Sequence, residues 1–180
     1  LYNAVQGAID AATEAGADVV IAIGHCGIDE QSSPWTSREI IANTTGLDAF
    51  IDGHSHSTIS GESVKDKSGN DVVLTSTGTK LANVGVVTIS PKGKVTAMSA
   101  PTEGMTAEDK DVAARAAAIQ KEIDDVYGTV FAKTKVELDG VKGNVRTHET
   151  NLGDLITDAL VWGAGKNGTK VDAAVTNGGG

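Results

Sequence analysis

Three of the four histidines in the 180-residue chain fall in two short glycine-bearing stretches. His25 lies in Gly24-His25-Cys26-Gly27, and His54 and His56 lie in Gly53-His54-Ser55-His56. Each stretch follows a short apolar run, Asp18 to Ile23 and Ala49 to Ile51, of the kind that forms a strand. The first run reads as a strand buried on both faces. Histidines just past such strands sit at the carboxyl end of a sheet, where α/β proteins bind ligands. One histidine there would be a surface residue making local hydrogen bonds. Three at two strand ends point to metal, because neutral imidazole is the commonest metal ligand. Three imidazoles are enough for a mononuclear zinc site. Gly53 lets the backbone approach a ligand closely. Cys26 reads as a small buried hydrophobe rather than a ligand, since free cysteine is among the most buried residue types.

A second constellation lies after residue 140. It comprises Arg146-x-x-Glu149-x-Asn151-Leu152-Gly153-Asp154-Leu155 and, further on, Asp172-Ala-Ala-Val-Thr-Asn177-Gly178-Gly179-Gly180. Arginine offers planar, bidentate recognition of phosphate, and glycines admit a ligand close to the backbone. Alone, Arg146 would be a surface charge and the glycine run a flexible loop. Their order and spacing downstream of Gly53-His54-Ser55-His56 give them meaning. His148 reads as a surface residue, and Trp35 and Trp162 as packing residues.

These motifs resemble those of the 5′-nucleotidase family, in which a calcineurin-like metallophosphoesterase domain precedes a nucleotide-binding C-terminal domain. The Gly-His at the first strand end and Asp48-Ala-Phe-Ile-Asp-Gly-His-Ser-His resemble the late motifs of the metallophosphoesterases. The stretches around Arg146 and Asn177 resemble the opening motif and the Thr-Asn-Gly-Gly-Gly loop of the C-terminal domain. The resemblance implies that His25 and His54 bind one metal ion and His56 another. It implies that Arg146 and Gly180 line the phosphate side of the substrate and that Asn177 touches the base. It also implies two divalent ions, Zn or Mn, about 3.5–4 Å apart, activating a water for in-line attack. The implied activity is hydrolysis of nucleoside 5′-monophosphates. The family's earlier ligand motifs, an Asp-x-His pair, a bridging Asp and an Asn-His pair that carries the proton donor, are not in this sequence. The expectation is therefore an internal piece, inactive alone, with no certain catalytic residue of its own. Two alternatives stand beside it: a relative acting on 2′,3′-cyclic nucleotides, UDP-sugars, NAD or a sulfur compound, and a non-catalytic metal- or nucleotide-binding module.

The elements that must position these residues read as α/β throughout. Leu1 to Gly16 has helical periodicity with Gly16 as its stop, and Ser37 to Ala42 is a short helix. Val72 to Leu74, Val84 to Ile89 and Val95 to Met98 read as strands, with a turn at Pro91 to Lys94. Thr106 to Tyr127 is the longest helix, with an apolar stripe of Val112, Ala116, Ile119, Ile123 and Val126. Thr106 and Asp109 fit a capping box and Gly128 fits a C-terminal stop. Strands are expected at 130–138 and 172–176, and a helix opening at Thr150 or Asn151. The expected organisation is the C-terminal portion of a metallophosphoesterase β-sandwich flanked by helices over residues 1–101. An interdomain helix over 102–128 follows, its ends allowing reorientation, and then the start of a second α/β domain over 129–180. Leu1 does not look like a natural start, and the end inside a glycine run looks cut.

Bulk properties narrow the partners. Apolar residues make up 39% and charged residues 22%, a globular composition. The net charge of −9 argues against a nucleic-acid backbone or an anionic membrane surface, both of which need a basic face. It leaves room for a small nucleotide held by local arginines or metal. No apolar run reaches the ~20 residues a membrane span needs, and no signal peptide is visible. A single cysteine permits no internal disulfide and says nothing of compartment. By resemblance the parent acts outside the cytoplasm: extracellular, at the cell surface or in the periplasm.

Overall fold

The structure is a computed structural model that describes residues 1–178. It forms two compact units, one from Leu1 to Ala107 and one from Glu108 onward. Among the described residues no helix is long and apolar enough to cross a membrane.

The first unit is built on a mixed four-stranded sheet. Helix α1 (Tyr2–Glu14) leads into β1 (Ile21–Ile23), helix α2 (Ser37–Ala42) and β2 (Ala49–Ile51). Then come β3 (Thr58–Lys65), β4 (Asp71–Thr77), β5 (Asn83–Ile89) and β6 (Val95–Pro101). The sheet order is β1-β2-β4-β3, with β1, β2 and β4 parallel and β3 antiparallel to β4. The β5–β6 hairpin is a second sheet packed against β3 and β4. Helix α1 ends as expected. Gly16 takes φ +91°, and the amides of Gly16 and Ala17 donate to the carbonyls of Thr13 and Ala12, the two bonds of a Schellman cap. Helix α2 opens on a full capping box between Thr36 and Glu39. Ile9 of α1 and Ile40 and Ile41 of α2 are buried with Phe50, Val72 and Leu74 of the sheet. This apolar core fixes the sheet whose carboxyl edge carries the histidines.

Two expectations are corrected in this unit. The run Asp18 to Ile23 is not a strand buried on both faces. Only Ile21–Ile23 pairs, and Ile23 is 83% exposed. The reason is position: β1 is at the edge, with β2 as its only neighbour among the described residues. Strand β3 carries no apolar alternation that would announce it: it is mostly polar, and Ile59 is its one buried residue.

The second unit is helical among the described residues. It contains α3 (Lys110–Tyr127), α4 (Lys142–Thr147) and α5 (Asn151–Lys166). Helix α3 starts at Asp109, whose side chain accepts from the amides of Asp111 and Val112, rather than at Thr106. Gly128 caps its far end at φ −74°, without a left-handed turn. The apolar stripe is present but exposed, with Val112 at 68% and Val126 at 67%. The strands expected at 130–138 and 172–176 do not form. Phe131 is 98% and Val175 94% exposed. A β-prone sequence needs a neighbouring strand to complete its ladder, and neither segment has one among the described residues. Helix α4, Lys-Gly-Asn-Val-Arg-Thr, shows no apolar period that would mark it in the sequence.

Candidate metal and phosphate sites

Strands β1 and β2 run parallel with Ile23 beside Ile51, so the segments that carry His25 and His54 leave the sheet at the same edge. Pairing continues one step further, where the Gly24 amide donates to the Ile51 carbonyl at 2.9 Å. Beyond that, Asp52 ties the diverging segments. Its Oδ1 accepts from the amides of Cys26 (2.8 Å) and Gly27 (3.3 Å), and its own amide donates to the Thr75 carbonyl on β4 (2.8 Å). At the other end of β2, Asp48 Oδ2 accepts from the Val20 amide at 2.8 Å, and its amide donates back to the Val20 carbonyl at 2.9 Å. The short β1–β2 ladder is thus held by a carboxylate at each end.

This framework brings the His25 and His54 rings edge to face, with centroids 5.2 Å apart and planes at 78°. Each ring lies against the glycine of the opposite segment. A Cβ on Gly53 would come within 2.8 Å of His25 Nδ1, and one on Gly27 within 3.0 Å of His54 Cδ2. His54 is the centre of a γ-turn: the Ser55 amide donates to the Gly53 carbonyl at 2.9 Å and His54 takes φ +72°. His56 is also left-handed, at φ +55°. Non-glycine residues in this region are uncommon and gather at functional sites. His25, His54 and His56 are all exposed. Among the described residues no group of three His, Cys, Asp or Glu side chains stands close enough to hold an ion. The structure therefore pairs His25 with His54 and leaves His56 outside the pair.

Cys26 is half-buried and packs against the core, as a small hydrophobe does. Burial first, and the Asp52 charge second, push its thiol above the ordinary range, against a lowering hydrogen bond from the His25 backbone. It is a neutral thiol at neutral pH. Asp52 is the residue that sequence reasoning missed. It is only 9% exposed, and its Oδ2 is buried without a hydrogen-bond partner among the described residues. The available signal was a carboxylate between an apolar strand and a Gly-His pair.

In the second unit, Arg146 sits in the last turn of α4, and its Nε donates to the Gly178 carbonyl at 3.2 Å. Gly178 lies on the helix backbone so closely that a Cβ there would be 2.0 Å from the Val145 carbonyl oxygen. The Arg146 and Asn177 motifs are thereby brought together. Thr150 caps α5 by accepting from the Gly153 amide. Asn151 pins the preceding segment: its Oδ1 accepts from the Asp139 amide (2.8 Å) and its Nδ2 donates to the Glu137 carbonyl (2.9 Å). Between α4, α5 and residues 176–178 is a cavity of about 350 Å³ whose lining includes His148, Glu149, Thr157 and Asn177. His148, expected to be a plain surface residue, is exposed but borders this cavity. Gly180 lies outside the described residues.

No family model matches the chain. Over 168 residues it is 29% identical to the trifunctional nucleotide phosphoesterase protein YfkN of Bacillus subtilis, an alignment that covers 89% of this chain and 11% of that protein. It is 27% identical over 168 residues to Protein 5NUC of Lutzomyia longipalpis, covering 83% of this chain and 28% of the relative. The chain thus spans between about a tenth and under a third of the length of these curated relatives. Among solved structures it superposes on the 5′-nucleotidase precursor of Thermus thermophilus with a TM-score of 0.61 at 25% identity, covering 93% of this chain and 36% of that one. The calcineurin-like phosphoesterase YfkN of Bacillus subtilis gives a TM-score of 0.50 at 18% identity, over 68% of this chain and 42% of that one, a likeness of fold alone.

Proposed function

We propose that this chain, whose homologues and structural neighbours are 5′-nucleotidases and calcineurin-like phosphoesterases, is part of a metal-dependent hydrolase of nucleoside 5′-monophosphates. Residues 1–101 would be metallophosphoesterase sequence, 102–128 an interdomain helix, and 129–180 the start of the substrate-binding domain. His25, His54 and His56 are the metal-holding residues in this reading, and Arg146, Asn177 and Gly180 the substrate-holding ones.

The observation that carries the reading is the His25–His54 pair. With a metal–nitrogen bond of ~2.1 Å, two imidazoles at a tetrahedral angle have centroids roughly 5.2 Å apart. The pair has that separation, 5.2 Å, and glycines on both segments leave room for the rings. The two imidazoles suit a borderline ion such as Zn²⁺, and the harder Mn²⁺ would need oxygen ligands beside them. Divalent ions supply, when bound, a lowered water pKa and charge against the phosphoryl oxygens. The chain's own residues hold and orient: Arg146 offers a charged donor matched to phosphate, and Asn177 an amide for a base edge.

The test is hydrolysis by the whole protein before and after metal removal, read as phosphate from AMP, as the opened monophosphate from 2′,3′-cyclic AMP, as UMP from UDP-glucose and as AMP from NAD. Metal-dependent hydrolysis of AMP with the largest kcat/KM supports the proposal. Chelator-resistant hydrolysis, or none of AMP, refutes it. A relative named a trifunctional nucleotide phosphoesterase supports a second reading, in which more than one class of nucleotide phosphoester is hydrolysed. An extracellular, cell-surface or periplasmic location goes with a relative named as a precursor.

A further inference from the structure

The two carboxylates that bracket β2 make the same kind of bond but differ in one respect. Asp48 is half-buried, and its Oδ2 and backbone complete a two-bond exchange with Val20. Asp52 is buried, uses only Oδ1, and keeps Oδ2 buried and unbonded among the described residues. An asparagine would accept the Cys26 and Gly27 amides as well and would carry no charge into the interior. A buried charge with an empty oxygen is costly unless a cation or donor answers it. Among the described residues no arginine or lysine is paired with Asp52. The carboxylate stands one residue before Gly53-His54 and holds the two amides directly after His25.

We infer that Asp52 is a positioning residue for the His25–His54 pair. Its Oδ1 fixes the Cys26–Gly27 amides so that the His25 ring lies on Gly53. Its negative charge and free Oδ2 favour a divalent cation held by the two imidazoles. The inference rests on the metal reading of that pair. Groups outside the ligand set that fix the orientation of metal-bound histidines typically contribute 10–100-fold in affinity.

The experiment uses the whole protein stripped of metal, with wild type, Asp52→Asn and Asp52→Ala compared. Zn²⁺ and Mn²⁺ binding is measured by calorimetry, and the imidazole resonances of His25 and His54 are followed in the metal-free state. Asp52→Asn keeps the amide acceptor and loses the charge. It should leave the metal-free histidine resonances and the Tm near wild type and weaken metal binding by about tenfold. Asp52→Ala also loses the clamp, so both resonances should move and affinity should fall further. Wild-type metal affinity in Asp52→Asn overturns the electrostatic half of the inference. Unmoved resonances in Asp52→Ala overturn the positioning half. Failure of the wild-type protein to bind either ion overturns the metal reading itself, a result distinct from the other two.

Discussion

The His25 ring rests on Gly53 so closely that its Nδ1 lies 2.8 Å from where a Cβ would stand, while the His54 ring rests in the same way on Gly27. Two segments far apart in sequence therefore exchange a histidine for a glycine, and neither ring can be placed without the other segment.

Gly53→Ala tests this exchange. Gly53 does not have a positive φ, so alanine meets only the His25 ring and no backbone strain. A ring at the end of an exposed side chain can swing away. The expected loss of stability is below about 1 kcal/mol, typical of a surface change, whereas Zn²⁺ affinity should fall at least tenfold. Thermal unfolding and calorimetry on the same preparation check it; a large Tm loss with unchanged affinity would contradict the argument.

Gly178→Ala should behave in the opposite way. Its Cβ would meet the Val145 carbonyl oxygen at 2.0 Å and Arg146 Cα at 3.2 Å, and backbone cannot swing aside. The residues 176–178 must move off α4, breaking the Arg146–Gly178 bond. A loss of about 1–3 kcal/mol, as for overpacked sites, is expected in chemical denaturation. A weaker KM for AMP should accompany it.

The two constellations should fail differently in kinetics. In the whole protein, His54→Ala should lower metal content and kcat together, with partial recovery in excess metal. Arg146→Ala should leave metal content intact. It should lower kcat/KM for AMP by roughly ten- to a hundredfold, as expected for a lost charge-assisted hydrogen bond of about 1.5–3 kcal/mol. Elemental analysis beside steady-state kinetics decides. An unchanged kcat/KM in Arg146→Ala would remove the phosphate role from that motif.

The β3–β4 turn offers a pH test away from both sites. Burial raises the Asp66 carboxyl, but hydrogen bonds from Asn70 and the Ser68 amide outweigh it, and the net shift is downward. A carboxyl depressed in the folded state adds stability above its unfolded pKa and loses it as pH falls through the lower folded value. Asp66→Asn should therefore be less stable than wild type at pH 7. The gap should close as the pH drops below about 3.8, the ordinary aspartate value. Thermal unfolding across pH 7 to 3 measures it; a constant gap would mean that Asp66 acts by shape alone.

Much of the site was legible in residue order. Apolar runs ending in Gly-His and Asp-Gly-His placed both histidines at the carboxyl edge of parallel strands, because a short aliphatic run stopped by glycine carries its strand end in local sequence. The Gly16 stop and the Thr150 cap were legible for the same reason: a cap depends on residues within one turn. Contacts across long stretches of chain were not. That His25 meets His54 but not His56, that Asp52 bridges 26 residues back to Cys26, and that Arg146 reaches 32 residues forward to Gly178 depend on how strands and helices pack. The segments 130–138 and 172–176 show the converse. Their composition favours strands, but a ladder is a property of two chains side by side, and only the tertiary structure decides whether the second is there.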